Sequence, residues 1–112
     1  MATNQGTVDF LLDQLNSLHG IRARKMFGEY ALYFEDKVVA LVCDDQLFVK
    51  TTPQGKIVAG DRYEEGTAYP GAKPSMLIDA EHFDDGEWLC ELIRVTAASL
   101  PPGKPKKAGN RK

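Results

Sequence analysis

Between Ile21 and Lys50 four short apolar runs follow one another too closely for anything but hairpins. They are Ile21–Met26, Glu29–Phe34, Val38–Cys43 and Gln46–Lys50, all rich in β-branched and aromatic side chains. Turn signals separate them: Phe27-Gly28, Glu35-Asp36-Lys37 and Asp44-Asp45. Parallel neighbours need a crossover of about a dozen residues or more, so the runs predict an antiparallel meander. Side chains alternate along a strand, which sends Tyr30, Leu32 and Phe34 to one face and Ala31 and Tyr33 to the other. Val38–Cys43 is apolar without alternation. That pattern suits a central strand covered on both faces, by a helix on one and a partner surface on the other.

Helical periodicity flanks this block. Val8, Leu11, Leu12 and Leu15 recur at i, i+3, i+4 and i+7, with Leu18 one turn later and Asp9, Asp13 and Asn16 opposite. His19-Gly20 is the expected stop, because glycine accepts positive φ. Thr52-Pro53 reads as a cap and first helical residue, predicting a short helix from Pro53 to about Val58. Residues 60–74 hold Gly, Pro and polar side chains and read as a loop, with Tyr69-Pro70-Gly71-Ala72 as a turn. Ser75–Asp79 reads as a strand that rejoins the sheet. Asp84-Asp85-Gly86-Glu87 resembles a capping box, with Asp84 as cap and Glu87 three residues on. Trp88, Leu89, Leu92, Ile93 and Ala97 follow on one helical face, until Pro101-Pro102 stops the helix. The expected fold is α+β: a two-layer sandwich of about five antiparallel strands, with the N- and C-terminal helices on one face.

A chain of 112 residues supports one domain, here residues 1–100. The net charge of −2 conceals an asymmetry. Residues 101–112 carry Lys104, Lys106, Lys107, Arg111 and Lys112 and no acid, whereas residues 1–100 carry 9 basic and 16 acidic side chains, a net −7. The Pro-, Gly- and Lys-rich tail is expected to stay disordered, since it has nothing to bury against its ordering entropy. No apolar run approaches the roughly 20 residues that span a bilayer, and the N-terminus is not that of a signal peptide. A cytoplasmic protein without membrane association is the expectation.

The residues suited to chemistry are scattered. Cys43 and Cys90 lie in apolar surroundings, outside any Cys-x-x-Cys pair, and read as free buried thiols. His19 falls at a helix end, and His82 among Glu81, Asp84 and Asp85. An enzyme would draw on Cys43, Cys90 or His82, but nothing in the spacing brings a thiol to a base. The acids at 81–87 lack the alternation of a calcium loop and are accounted for by helix capping. Gly60, Gly66 and Gly71 follow no phosphate-loop spacing. No catalytic residue, metal ligand or cofactor is therefore assigned. Arg22, Arg24 and Lys25 are the basic cluster of the body. With Met26, Phe27, Tyr30 and the tail they could contact nucleic acid, although the acidic body opposes a polyanion.

Arg24-Lys25-Met26-Phe27-Gly28-Glu29-Tyr30, followed by Ala31-Leu32-Tyr33, resembles the signature of the TfoX N-terminal domain family. The similarity continues through Val38–Val42 and Gln46–Lys50 to Tyr69-Pro70 and the Trp88 helix, spanning roughly residues 7–98. The resemblance implies a secretion-chaperone-like two-layer domain that often self-associates. It implies no catalytic residues, and the helical second domain of the competence regulators is not expected in a chain ending at residue 112. The combined expectation is a non-enzymatic protein-interaction or regulatory domain, acting as a homodimer or on a protein partner. Its candidate motif is Arg24, Lys25, Met26, Phe27, Gly28, Tyr30 and Lys50. A DNA-associated regulator using Arg22, Arg24, Lys25 and the tail is the alternative, and a small enzyme of unrecognised type the third reading.

Overall fold

The computed structural model describes residues 3–26 and 29–100. The expectations for Phe27, Gly28 and the tail 101–112 lie outside the described residues. In chain order the elements are α1 (Gln5–Gln14), β1 (Arg22–Met26), β2 (Glu29–Phe34), β3 (Lys37–Cys43), β4 (Gln46–Val49), α2 (Pro53–Ala59), β5 (Glu65–Gly66), β6 (Ser75–Ile78) and α3 (Gly86–Ser99). The strands form one antiparallel sheet in the order β1-β2-β3-β4-β6-β5. The expected meander is present, and the sheet has six strands where about five were expected. The extra one, β5, is only two residues long and lay hidden in the polar stretch 60–74, too short to show alternation.

Two-residue turns join β2 to β3 and β3 to β4. Glu35 and Asp36 take φ of 56° and 62°, and Asp44 and Asp45 take 54° and 62°. Positive φ at both central residues gives the twist a right-handed hairpin needs, here without the glycine that usually relieves the strain. Between Leu32 and Tyr33 the register shifts, so that Leu32 pairs with Ala40 and Tyr33 with Val38. Val39 is the extra residue of this bulge. It is fully buried in the core, and its carbonyl accepts from the Lys50 N–H at 2.9 Å. The missing alternation in Val38–Cys43 is thus partly a bulge that turns one more valine inward.

The inner face carries Tyr30, Val42, Leu47 and Ile78 in one line across four strands, and Leu32, Ala40, Val49 and Met76 in the next. Against it pack Val8, Leu11, Leu15 and Leu18 from the α1 segment and Leu89, Leu92, Ile93 and Ala97 of α3, all buried. Each large aliphatic side chain so enclosed contributes about 1.5–3 kcal/mol.

The helix ends differ from expectation in two places. α1 stops at Gln14 rather than at His19-Gly20; Leu15–Leu18 continue as turns, and Gly20 takes the expected positive φ of 87°. The α3 cap is Asp85, not Asp84. Its carboxylate accepts from the Trp88 N–H at 3.3 Å, which puts Trp88 where the capping box had placed Glu87. For α2 the reading holds: Thr52 caps the Gly55 N–H at 2.9 Å and Pro53 opens the helix.

Candidate functional site

The helices cover one face of the sheet and leave the other to the loops and to solvent. Register places Arg24, Ala31, Leu41, Phe48 and Leu77 side by side across β1, β2, β3, β4 and β6 on that outer face. Four of the five are apolar. At the β5–β6 end the row is covered. A Cβ built on Gly66 would stand 3.3 Å from the Phe48 ring and 3.4 Å from Leu77, and Phe48 is buried. From β5 the chain continues into the turn that opens at Tyr69, closed by the Ala72 N–H on the Tyr69 carbonyl at 3.0 Å, with Gly71 at φ 87°.

Between this turn and the strands lies a groove of about 440 Å³, lined by Met26, Glu29, Tyr30, Leu41, Cys43 and Tyr69. Its walls are mostly apolar, and two of them are large side chains open to solvent: Met26 is 40% and Tyr69 56% exposed. Exposed apolar surface gathered in a concavity marks a contact site more often than scattered exposed side chains do.

Glu29 is the carboxylate of the groove, and it is held in place. Its Oε1 accepts from the Thr3 hydroxyl and from the Asp44 N–H (3.1 Å). Thr3 also reaches the Val42 carbonyl at 3.1 Å, while Asp45 Oδ1 takes the Asn4 N–H at 2.8 Å and the Thr7 hydroxyl at 3.0 Å. The start of α1 is thereby clasped to the β3–β4 turn, next to the groove. Burial, and secondarily the Glu29 charge, push the Cys43 thiol above its ordinary pKa, which disfavours the reactive thiolate.

Of the candidate motif, the structure places Met26 at the groove. Tyr30 borders it from β2, but its side chain turns to the inner face, where its hydroxyl donates to Gln5 Oε1 of α1. Phe27 and Gly28 lie outside the described residues. Arg24 and Lys25 point to opposite faces of β1, Arg24 opposite Ala31 and Lys25 opposite Tyr30. Arg22 is engaged by Asp36 at 3.5 Å and lies 4.6 Å from the Tyr33 ring centre. The three cations therefore do not form one surface. Lys50 lies beyond the end of β4 at Val49, whereas Cys43 at the groove pairs with Gln46. Sequence reasoning missed Leu41 and Tyr69 as partners in a site; an aromatic ahead of Pro-Gly in a polar loop was the available signal.

The other candidates are spread through the fold. Cys90 Sγ is 3.2 Å from Ser17 Oγ and 3.6 Å from the Gln14 carbonyl, where it joins α3 to the end of α1. His82 packs edge-on to Trp88, with ring centres 5.8 Å apart, and Trp88 donates its indole N–H to the Val58 carbonyl at 3.0 Å. Arg62 covers the same indole at 4.6 Å and pairs with Asp85 at 2.9 Å. His19 is exposed, beyond the end of α1. Among the described residues no group of three His, Cys, Asp or Glu side chains is arranged to hold a metal ion, and no helix is long and apolar enough to cross a membrane.

A sequence profile of the TfoX N-terminal domain matches residues 13–100. The chain is also similar to a Spirochaeta aurantia protein named as an uncharacterized 12.7 kDa protein in the trpE 5' region. The two are 40% identical over 108 residues, which cover 96% of this chain and 92% of that protein.

Proposed function

Starting from a chain that belongs to the TfoX N-terminal domain family, we propose that it is a non-enzymatic protein-interaction domain of regulatory type. The surface it offers is the outer face of the sheet. The observation that supports this is the groove itself, a mostly apolar concavity on an otherwise acidic body, with Met26 and Tyr69 open to solvent at its walls. Contact surfaces combine an apolar centre with aromatic and methionine side chains and a polar rim, and this groove has each of them. Family membership carries the regulatory part of the reading. DNA binding through Arg22, Arg24 and Lys25 draws no comparable support, because Lys25 points to the opposite face of β1 from Arg22 and Arg24, and Arg22 is engaged by Asp36.

A photo-crosslinking residue placed at Leu41 in the full chain, expressed in its native host cell, tests the reading. Discrete protein adducts are expected from Leu41 and not from the exposed α3 position Glu91. Adducts of equal yield from both positions, or none from Leu41, would refute it.

A further inference from the structure

Resting on that interaction reading, we propose that the groove receives a segment of a partner protein in which a large apolar side chain is followed closely by a lysine or arginine. The two halves of the groove specify the two halves of the ligand. Met26, Leu41, Cys43 and Tyr69 surround about 440 Å³ of space, enough for one large apolar side chain to leave water. Glu29 supplies the second half. Its Oε1 is committed to Thr3 and Asp44, while its Oε2 has no hydrogen-bond partner among the described residues. A carboxylate anchored by one oxygen presents the other in a fixed direction, and charge-assisted hydrogen bonds are the stronger ones.

The wider charge distribution selects the same sign. Residues 1–100 carry a net −7, and a field of that sign favours the approach of a cationic segment over an acidic one.

The test is selection of random dodecapeptides on phage against the full chain at physiological salt, followed by titration of labelled synthetic versions of the enriched sequences. Enrichment of an apolar residue with Lys or Arg one to three positions later is expected. Leu41→Asp should weaken those peptides more than tenfold. Glu29→Gln keeps an amide oxygen to accept from Thr3 and Asp44 while removing the charge, and should weaken them about fivefold. That second loss should vanish at about 1 M salt, where the screening length is near 3 Å. Both variants are first checked for a wild-type melting temperature; Met26→Asp, at an exposed edge position, replaces Leu41→Asp if the latter unfolds.

Enriched peptides that are acidic or uncharged, or binding insensitive to Glu29→Gln, would overturn this inference and leave the interaction reading standing. Concentration-dependent dimerisation abolished by Leu41→Asp, with no peptide enriched, would overturn it and give the face to a second copy. Neither peptides nor self-association would defeat both readings.

Discussion

Lys37 at the start of β3 donates from Nζ to the main-chain carbonyl of Ala97 at 2.7 Å, and to that of Leu100 at 3.3 Å. A cation from the sheet thus closes the C-terminus of α3, where unpaired carbonyls and the negative end of the helix dipole gather. Lys37→Met keeps the aliphatic stem and removes the donor. The expected loss is about 1–2 kcal/mol, read as a lower urea midpoint at unchanged slope. Lys37→Arg should recover part of it.

Where α2 meets α3, Gly55 approaches two threonines. A Cβ at Gly55 would lie 2.9 Å from Thr52 Oγ1 and 3.3 Å from Thr96 Oγ1. Gly55→Ala therefore displaces the α2 cap, and should cost about 1–3 kcal/mol despite the better helix propensity of alanine. Thr96 Oγ1 is itself buried without a partner. Thr96→Val, which replaces that hydroxyl by a methyl, should raise stability by about 0.5–1.5 kcal/mol. Thermal melts of both variants decide the matter.

The two hairpin turns share a backbone conformation and should respond oppositely to glycine. Replacing Glu35-Asp36 by Asn-Gly relieves positive φ at both positions and sacrifices only the exposed Arg22–Asp36 pair. A gain of about 1 kcal/mol is expected. Asp45→Gly relieves the same strain but deletes the acceptor of the Asn4 N–H and the Thr7 hydroxyl. It should lower stability, with faster hydrogen exchange confined to the first turn of α1.

Asp85 carries a pH signature. The Arg62 guanidinium, and after it the Trp88 N–H, hold its carboxyl below the ordinary value of 3.8. A depressed native pKa gives stability that is present above the unfolded value and lost as pH falls through the native one. Asn also caps helices well, so Asp85→Asn removes the charge while keeping the cap. The wild type should exceed Asp85→Asn in urea midpoint at pH 7, and the difference should shrink progressively below about pH 4. A pH-independent difference would show that the Arg62 pair contributes nothing.

The elements that were legible before the structure are those dictated by local rules. The stripe Val8–Leu15, the hairpin spacing from Ile21 to Lys50, the Thr52-Pro53 start and the Tyr69–Ala72 turn each depend on residues a few positions apart, and each is found where expected. The misreadings occurred where two local rules competed. Asp84 and Asp85 are both good caps, and only the packing of Trp88 under Arg62 decides between them. Leu18 extends the helical stripe in sequence, yet it is buried from a turn after the helix has ended.

The candidate site was scarcely legible, because its walls come from β1, β2, β3 and the loop after β5. The sequence by itself determined an antiparallel α+β domain with an apolar central strand and an acidic body. Tertiary structure alone decided that the sheet is covered by helices on one side only, that Tyr69, Leu41 and Met26 line one groove on the other, and that Arg24 and Lys25 part company. Alternation along a strand fixes which side chains share a face, but which face stays open depends on where the helices pack, and no local pattern encodes that.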